Sequence, residues 1–236
     1  MNLEKKNIII TGAAGRVGSS IAKQAFNHGA TVIINDIDEK NLNELSKELC
    51  LKDPSRVFAI TEDITKPNGI DTLIKKSLNK FDHITSAVHS AYPRSKQWGT
   101  NFENIEFEYL EKDLSMQLGS AIIFSQKILE IFNSQMGGDL IHISSIQGLG
   151  APKFEHYEGT EMMSPIEYTA IKSGVIAITK WLAKYYRNKG IRINCISPGG
   201  ILDKQPSLFL ERYRKSCNNI GMLSSDNIAS TVIFLL

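Results

Sequence analysis

The sequence predicts an α/β fold, a doubly wound parallel sheet carried by one domain over residues 1–236. Three observations support this. Six short runs rich in β-branched residues recur along the chain, a helical pattern of apolar residues fills the intervals between them, and no repeat, low-complexity tract or Pro/Gly/Ser-rich linker divides the sequence. Strands that alternate with helices run parallel, because each helix carries the chain back to the end of the sheet where the next strand begins. With 42% hydrophobic and 22% charged residues among 236, the composition is that of an ordinary globular chain with one sizeable core.

The first strand spans Asn7 to Thr11, and a helix from Val17 to His28 follows, closed by Gly29 where a C-terminal cap belongs. Thr31 to Asn35 is the second strand. Asp38 caps the next helix, which reaches Leu49, since a short carboxylate accepts from the free N–H groups of a first turn. Arg56 to Ile60 and Ile70 to Asn79 form the third strand and helix, and His83 to His89 the fourth strand. Phe107 to Asn133 reads as helix, in one piece or two. Asp139 to Ser144 is the fifth strand, Pro165 to Asn188 a long helix ended by Gly190, Ile191 to Ser197 the sixth strand, and Ser225 to Leu235 the last helix. Gly148 to Ser164 and Gly199 to Ser224 are long connections, and such loops are more often functional than idle.

Charge and composition exclude several classes. A net charge of +2 with no long basic run gives no electrostatic reason to expect nucleic acid or a membrane as partner. The first six residues lead into an apolar stretch too short for a signal peptide, and no 18-residue apolar run follows, so a soluble cytoplasmic protein is expected. Cys50, Cys195 and Cys217 are odd in number and lack Cys-x-x-Cys spacing or a histidine cluster, so neither a disulfide framework nor a metal site is indicated.

The chemistry concentrates in a few motifs. Thr11-Gly-Ala-Ala-Gly-Arg-Val-Gly18 joins the first strand to the first helix, and this arrangement presents backbone N–H groups and a helix N-terminus to a pyrophosphate. Gly12, Gly15 and Gly18 allow the tight turn and close approach, while Arg16 and Val17 open the helix. Asp36 ends the second strand, where a carboxylate accepts from the adenosine ribose hydroxyls and repels a 2′-phosphate, which favours NAD over NADP. Arg16 pulls the other way, since a guanidinium near the phosphates can receive a 2′-phosphate. Tyr168 and Lys172 stand one helical turn apart on one face. A phenol titrates near pH ~10 in water, and a neighbouring ammonium lowers that value toward a useful acid/base.

The joint order of Thr11-Gly12 and Gly18 after strand one, Asp63-Ile64-Thr65 after strand three, Ser144-Ser145 after strand five, Tyr168-x-x-x-Lys172, and Ser197-Pro198-Gly199 after strand six resembles the short-chain dehydrogenase/reductase superfamily from Asn7 onward. The resemblance implies a Rossmann fold with Tyr168 as catalytic acid/base. It also implies that Lys172 binds the nicotinamide ribose, that Ser145 hydrogen-bonds the substrate oxygen, and that Ser144 is structural. Asp63 and Ile64 would contact adenine, and Pro198 and Gly199 would lie against the nicotinamide. It further implies homodimers or homotetramers built through the helices near Gly119 to Asn133 and Pro165 to Asn188.

The chain departs from the family pattern in places. His89-Ser-Ala-Tyr92 stands where Asn-Asn-Ala-Gly is usual, and a histidine satisfied in packing is the expectation for His89. Gln117 replaces the helix asparagine of the family's proton relay, with the same donor and acceptor at a different reach. Arg16 takes the place of the middle glycine, leaving the spacing of the superfamily's extended branch. The 22 residues between Ser145 and Tyr168 exceed the usual length. This insertion, with Tyr92 to Lys96 and Leu202 to Lys215, is expected to wall the substrate pocket, where Lys204, Arg212, Arg214 and Lys215 can meet an anionic substrate.

Ala91-Tyr-Pro-Arg94, Ala151 to Glu155 and Gln117 together are similar to the subgroup associated with flagellin modification and nonulosonic-acid sugar pathways, implying a sugar or sugar-phosphate substrate. The chain ends at Leu236 without the family's seventh strand, so a sheet lacking its edge strand, with reduced stability, is expected. The expected activity is an NAD-dependent interconversion of a secondary alcohol and a ketone. A 3-oxoacyl thioester reductase using NADPH and a non-catalytic nucleotide-binding Rossmann protein are the alternatives.

Overall fold

The computed structural model describes residues 2–236. Six parallel strands form one sheet: β1 (Asn7–Thr11), β2 (Thr31–Asp36), β3 (Val57–Thr61), β4 (Ser86–His89), β5 (Gly138–Ile143) and β6 (Ile191–Ile196). Their spatial order is β3-β2-β1-β4-β5-β6, the doubly wound order in which the chain first builds outward from β1 on one side and then on the other. Ile8, Ile9 and Ile10 of β1 are all fully buried, as a central parallel strand covered on both faces requires.

Alternation along β1 divides the core. Ile8 and Ile10 face helices α1 (Arg16–Asn27), α2 (Glu39–Cys50) and α8 (Ser225–Leu235), through Ile21, Phe26, Leu42, Leu45, Ile228 and Val232. Ile9 points the other way, toward α3 (Pro67–Phe81) and α5 (Ser120–Ser134). Phe124 and Phe132 of α5 are fully buried there, and burial of a side chain of this size stabilises the fold by about 1.5–3 kcal/mol. Gly138 opens β5 because a Cβ would stand 2.3 Å from the Phe132 ring. The remaining helices are α4 (Phe107–Leu114), α6 (Ile166–Tyr185) and α7 (Ser207–Lys215). No helix among the described residues is long and apolar enough to cross a membrane.

Three boundaries differ from expectation. Phe107 to Asn133 is two α-helices joined by a π-helical turn at Ser115–Gly119, which inserts an extra residue into the hydrogen-bond ladder and places Gln117 at the discontinuity. Strand β4 begins at Ser86, not His83, because the preceding chain turns at Asp82, whose φ is +59°. Ser207–Lys215, read as loop, is helix α7, with Arg212, Arg214 and Lys215 in the last turn where cations suit the helix dipole.

Candidate active site

Because all six strands run parallel, the segments leaving β1, β2, β4, β5 and β6 converge at the carboxyl edge of the sheet, and β1 beside β4 is the switch point where the connections diverge. The candidate site residues lie on those segments, on the π turn or on α6, save Asp63 and Ile64, which follow β3. Ser144 and Ser145 leave β5. The Ser144 hydroxyl donates to the Lys172 carbonyl at 2.8 Å and its N–H donates to the Ile196 carbonyl at 2.8 Å, so this serine ties α6 and β6 to β5. Ser145 is buried, accepts from the Gln147 N–H at 3.2 Å, and its hydroxyl lies near enough to the Tyr168 phenol to favour its ionised form.

Lys172 lies one turn beyond Tyr168 on α6 and is 8% exposed, with its Nζ donating to the Ile143 carbonyl at 3.0 Å. Burial pushes its ammonium down to about 8. Burial also raises the Tyr168 phenol above its ordinary value, opposed by the Ser145 hydroxyl. The lowering expected from Lys172 is therefore not what dominates at Tyr168: withdrawal from water acts on both groups and favours their neutral forms.

The dinucleotide-type loop is built as the glycines require. Gly12 has φ +66°, and a Cβ there would stand 2.6 Å from the Ala91 Cα; one on Gly18 would stand 2.1 Å from the Gly12 carbonyl oxygen. The Asp36 carboxylate accepts from the Ala14 N–H at 2.9 Å and the Asp38 N–H at 3.0 Å, so it buttresses the loop from the end of β2. Arg16 reaches across to the segment after β6, donating to the Leu202 carbonyl at 2.5 Å and pairing with Asp203. Val17 packs on the core at the start of α1.

Asp63 is engaged within its own turn, accepting from Thr65 Oγ1 at 2.6 Å and pairing with Lys66 at 3.0 Å. Burial pushes its carboxyl up, but the bonds from Thr65 and Lys66 outweigh it and the net direction is down. Ile64 beside it is buried. After β6, the Pro198 carbonyl accepts from the Ile146 N–H at 2.9 Å, and Gly199 and Gly200 lie against Tyr213, whose hydroxyl accepts from the Gly200 N–H at 2.6 Å.

Gln117 is 5% exposed, and its Nε2 has no hydrogen-bond partner among the described residues. His89 is satisfied in packing as expected: Nδ1 bonds Thr11 Oγ1 at 3.1 Å, the ring stacks on Phe124 at 5.0 Å, and burial pushes its value down to about 3. His142, unremarked in the sequence, is fully buried, bonded to Ser125 and Thr179 at 2.9 Å each, with its value lowered to about 4 by burial.

The insertion and α7 form a roof above these residues. His156 is buried and bonds Ser216 Oγ at 2.7 Å, and Arg212 donates to the Glu155 and Glu158 carbonyls. Ser164 and Tyr157 both bond the Gln147 side chain, anchoring the insertion to the turn after Ser145. Arg214 donates to the Cys217 carbonyl and Lys215 pairs with Glu211. Of the four cations expected to meet an anionic substrate, Arg212 is thus engaged with the insertion, and Arg214 and Lys215 with their own segment. Tyr92 and Trp98, on the segment after β4, stand edge-on to the Tyr168 ring at 5.8 and 6.1 Å.

Comparison with known proteins bears on this geometry. Residues 12–236 match the family model described as enoyl-(acyl carrier protein) reductase. The chain is 38% identical over 235 residues to post-translational flagellin modification protein A of Campylobacter coli, covering 99% of this chain and 92% of that one. It is 29% identical over 239 residues to 7alpha-hydroxysteroid dehydrogenase of Bacteroides fragilis, covering 98% and 87%. Among solved structures, a short chain dehydrogenase from Leptospira borgpetersenii with bound NAD+ superposes with a TM-score of 0.85 at 26% identity, covering 99% of this chain and 86% of that one.

Proposed function

We infer the reaction from the premise that this chain belongs to the short-chain dehydrogenase/reductase family and is an oxidoreductase of that type. The reaction is the interconversion of a secondary alcohol and a ketone, and the observation that carries it is the buried Lys172 one helical turn from Tyr168, its ammonium 5.6 Å from the Tyr168 ring, with buried Ser145 beside them after β5. A nicotinamide dinucleotide supplies the hydride chemistry when bound. The residues present fit such a group. Gly12, Gly15 and Gly18 add no side chain to the turn between β1 and α1, so its backbone at these positions is open to a pyrophosphate, and Asp36 sits where ribose hydroxyls would be met. Pro198 and Gly199 would flank the nicotinamide.

In the oxidative direction Tyr168, as its phenolate, takes the proton of the substrate alcohol and becomes the phenol, and in the reductive direction the phenol gives that proton to the carbonyl oxygen and becomes the phenolate. Ser145 donates to the same oxygen, stabilising the charge that develops on it. Lys172 lies one turn away and favours the phenolate when its ammonium is charged. Gln117, whose buried Nε2 has no partner among the described residues, would continue a proton path from Lys172. NAD is preferred to NADP: Asp36 repels a 2′-phosphate, and the one cation in the loop, Arg16, is neutralised by Asp203. The substrate is a sugar or sugar-phosphate, supported by the similarity to a protein named for flagellin modification. A homodimer or homotetramer would use the α5–α6 side, where Trp181 and Tyr185 are exposed and stacked at 4.8 Å.

The test is Tyr168→Phe, with NADH binding followed by fluorescence and turnover measured on a panel of keto-sugars. Binding is expected to persist while turnover falls by ~10²–10⁴. Wild-type turnover in the variant would overturn the assignment of the acid/base.

A further inference from the structure

The residue after Ala91 is a tyrosine in a position where the family resemblance leads one to expect glycine, and its ring stands over the proposed proton centre. The Lys172 ammonium lies 5.2 Å above the Tyr92 ring centroid and 5.6 Å above that of Tyr168. Its hydrogen bond is to the Ile143 carbonyl, and it takes part in no ion pair among the described residues. An ammonium buried to this degree requires compensation, and the negative face of an aromatic ring within ~6 Å supplies it. Tyr92, Trp98 and Tyr168 also meet edge to face in all three pairings, at 5.5, 5.8 and 6.1 Å, with interplanar angles of 86°, 78° and 87°. Such contacts fix ring planes as well as bury area.

We propose that Tyr92 is a positioning residue for the proton centre: its ring face holds the Lys172 ammonium, and together with Trp98 it fixes the plane of the Tyr168 ring. Of the other groups around Lys172, the Tyr168 ring shares the ammonium with that of Tyr92, and the rest are neutral. His89 on β4 and His142 on β5 are neutral imidazoles behind the lysine, Tyr168 on α6 is a neutral phenol, and Gln117 on the π turn is an amide. Around Tyr92 itself lie Arg94, whose guanidinium is 5.5 Å from the ring, and Glu167, a buried carboxylate with one oxygen unpartnered. Neither forms an ion pair with Lys172. The proposal rests on the reading of Tyr168 and Lys172 as the proton centre, but its test does not need turnover.

The Lys172 titration is read in the full-length chain, without substrate, from its Cε–Hε resonance by heteronuclear NMR, with Lys172→Met identifying the signal. Tyr92→Leu, which removes the ring, is expected to lower the Lys172 midpoint by about one pH unit, while Tyr92→Phe, which keeps it, stays within about 0.3 unit. Tyr92→Trp, carrying the strongest ring face, is expected to titrate at or above the wild-type midpoint, and it serves in place of the leucine variant if that fails to fold. A leucine variant titrating as wild type, a phenylalanine variant falling as far as leucine, or a tryptophan variant falling below wild type would overturn the proposal. Retained turnover in Tyr168→Phe would instead sink the acid/base reading and leave this measurement standing.

Discussion

Replacing Asp36 by asparagine should reverse the cofactor preference more than it disturbs the fold. The carboxylate accepts from the Ala14 and Asp38 N–H groups at 2.9 and 3.0 Å, and an asparagine side-chain oxygen can continue to accept from one of them. What is lost is the charge. A hydrogen bond from a ribose hydroxyl to an ionised acceptor contributes about 1.5–3 kcal/mol, against about 0.5–1.5 kcal/mol for a neutral one. NADH is therefore expected to bind roughly tenfold more weakly, at 1.4 kcal/mol per decade. For NADPH the sign is opposite, because two unit charges ~4 Å apart near a protein surface repel by up to ~4 kcal/mol, and that repulsion disappears. The ratio of the two dissociation constants should then move toward NADPH by between ~10, from the NADH loss alone, and ~10⁴, with the full repulsion relieved. The assay is fluorescence titration of wild type and Asp36→Asn with each reduced cofactor at one ionic strength, since screening alters the repulsive part. A ratio that moves by less than about threefold would refute the reasoning, because no route from this carboxylate to cofactor choice survives without its charge.

Acid stability tests the buried imidazoles. His89 and His142 have folded values lowered to about 3 and 4, against ~6.5 unfolded, so the unfolded chain binds protons that the native state refuses, and stability falls as pH drops below 6.5. With both contributing, the unfolding free energy should fall by up to ~2.7 kcal/mol per pH unit near pH 5, and His142→Gln should halve that slope in urea melts taken across the range. Gln117→Leu removes a buried donor that lacks a partner and should raise stability by about 1–3 kcal/mol while reducing turnover; a fall in melting temperature would mean that the amide is satisfied in solution. Asp203→Asn frees Arg16 for a phosphate, and in the Asp36→Asn background it should strengthen NADPH binding further, by a factor of a few as befits an exposed ion pair.

The sheet was legible in the sequence because a parallel strand covered on both faces carries a run of apolar residues, as Ile8 to Ile10 and Val32 to Ile34 do: β1 falls at the expected Asn7–Thr11 and β2 within a residue of its expected end, as does the alternating edge strand Ile191–Ile196. The glycine loop and the Tyr168–Lys172 pair were legible for a similar reason: backbone approach and helical spacing impose residue types at fixed intervals. The π turn was not legible, since an extra residue in a helical ladder leaves no mark on apolar periodicity beyond a drift that two shorter helices would equally produce. Helix α7 could have been read from Pro206 followed by a run that ends in Arg212, Arg214 and Lys215. Those cations were instead weighed as ligands for an anion. Helix and ligand readings of a basic cluster differ only in what the side chains touch, and here they touch carbonyls and a glutamate. His142 was missed because, in a strand buried on both faces, nothing in the sequence shows a partner for a histidine until Ser125 and Thr179 are brought to it from two different helices.

The roof over the site and the platform beneath it form one mechanical unit, which follows from where their hydrogen bonds go. His156 and Arg212 lock the insertion to α7, and Tyr213 of the same helix holds the Gly200 N–H at 2.6 Å, next to Gly199, the residue proposed to flank the nicotinamide. On the other side, Gln147 joins Tyr157 and Ser164 to the turn that Ser145 begins. A displacement of the insertion is therefore transmitted at both ends, to the hydrogen-bond donor of the proton centre and to the segment after β6. That segment is itself tied to the glycine loop through Arg16 and Asp203. The insertion, the turn after Ser145 and the segment after β6 are thus joined by contiguous hydrogen bonds, and a substitution that re-sculpts the insertion is expected to disturb the segment after β6 as well.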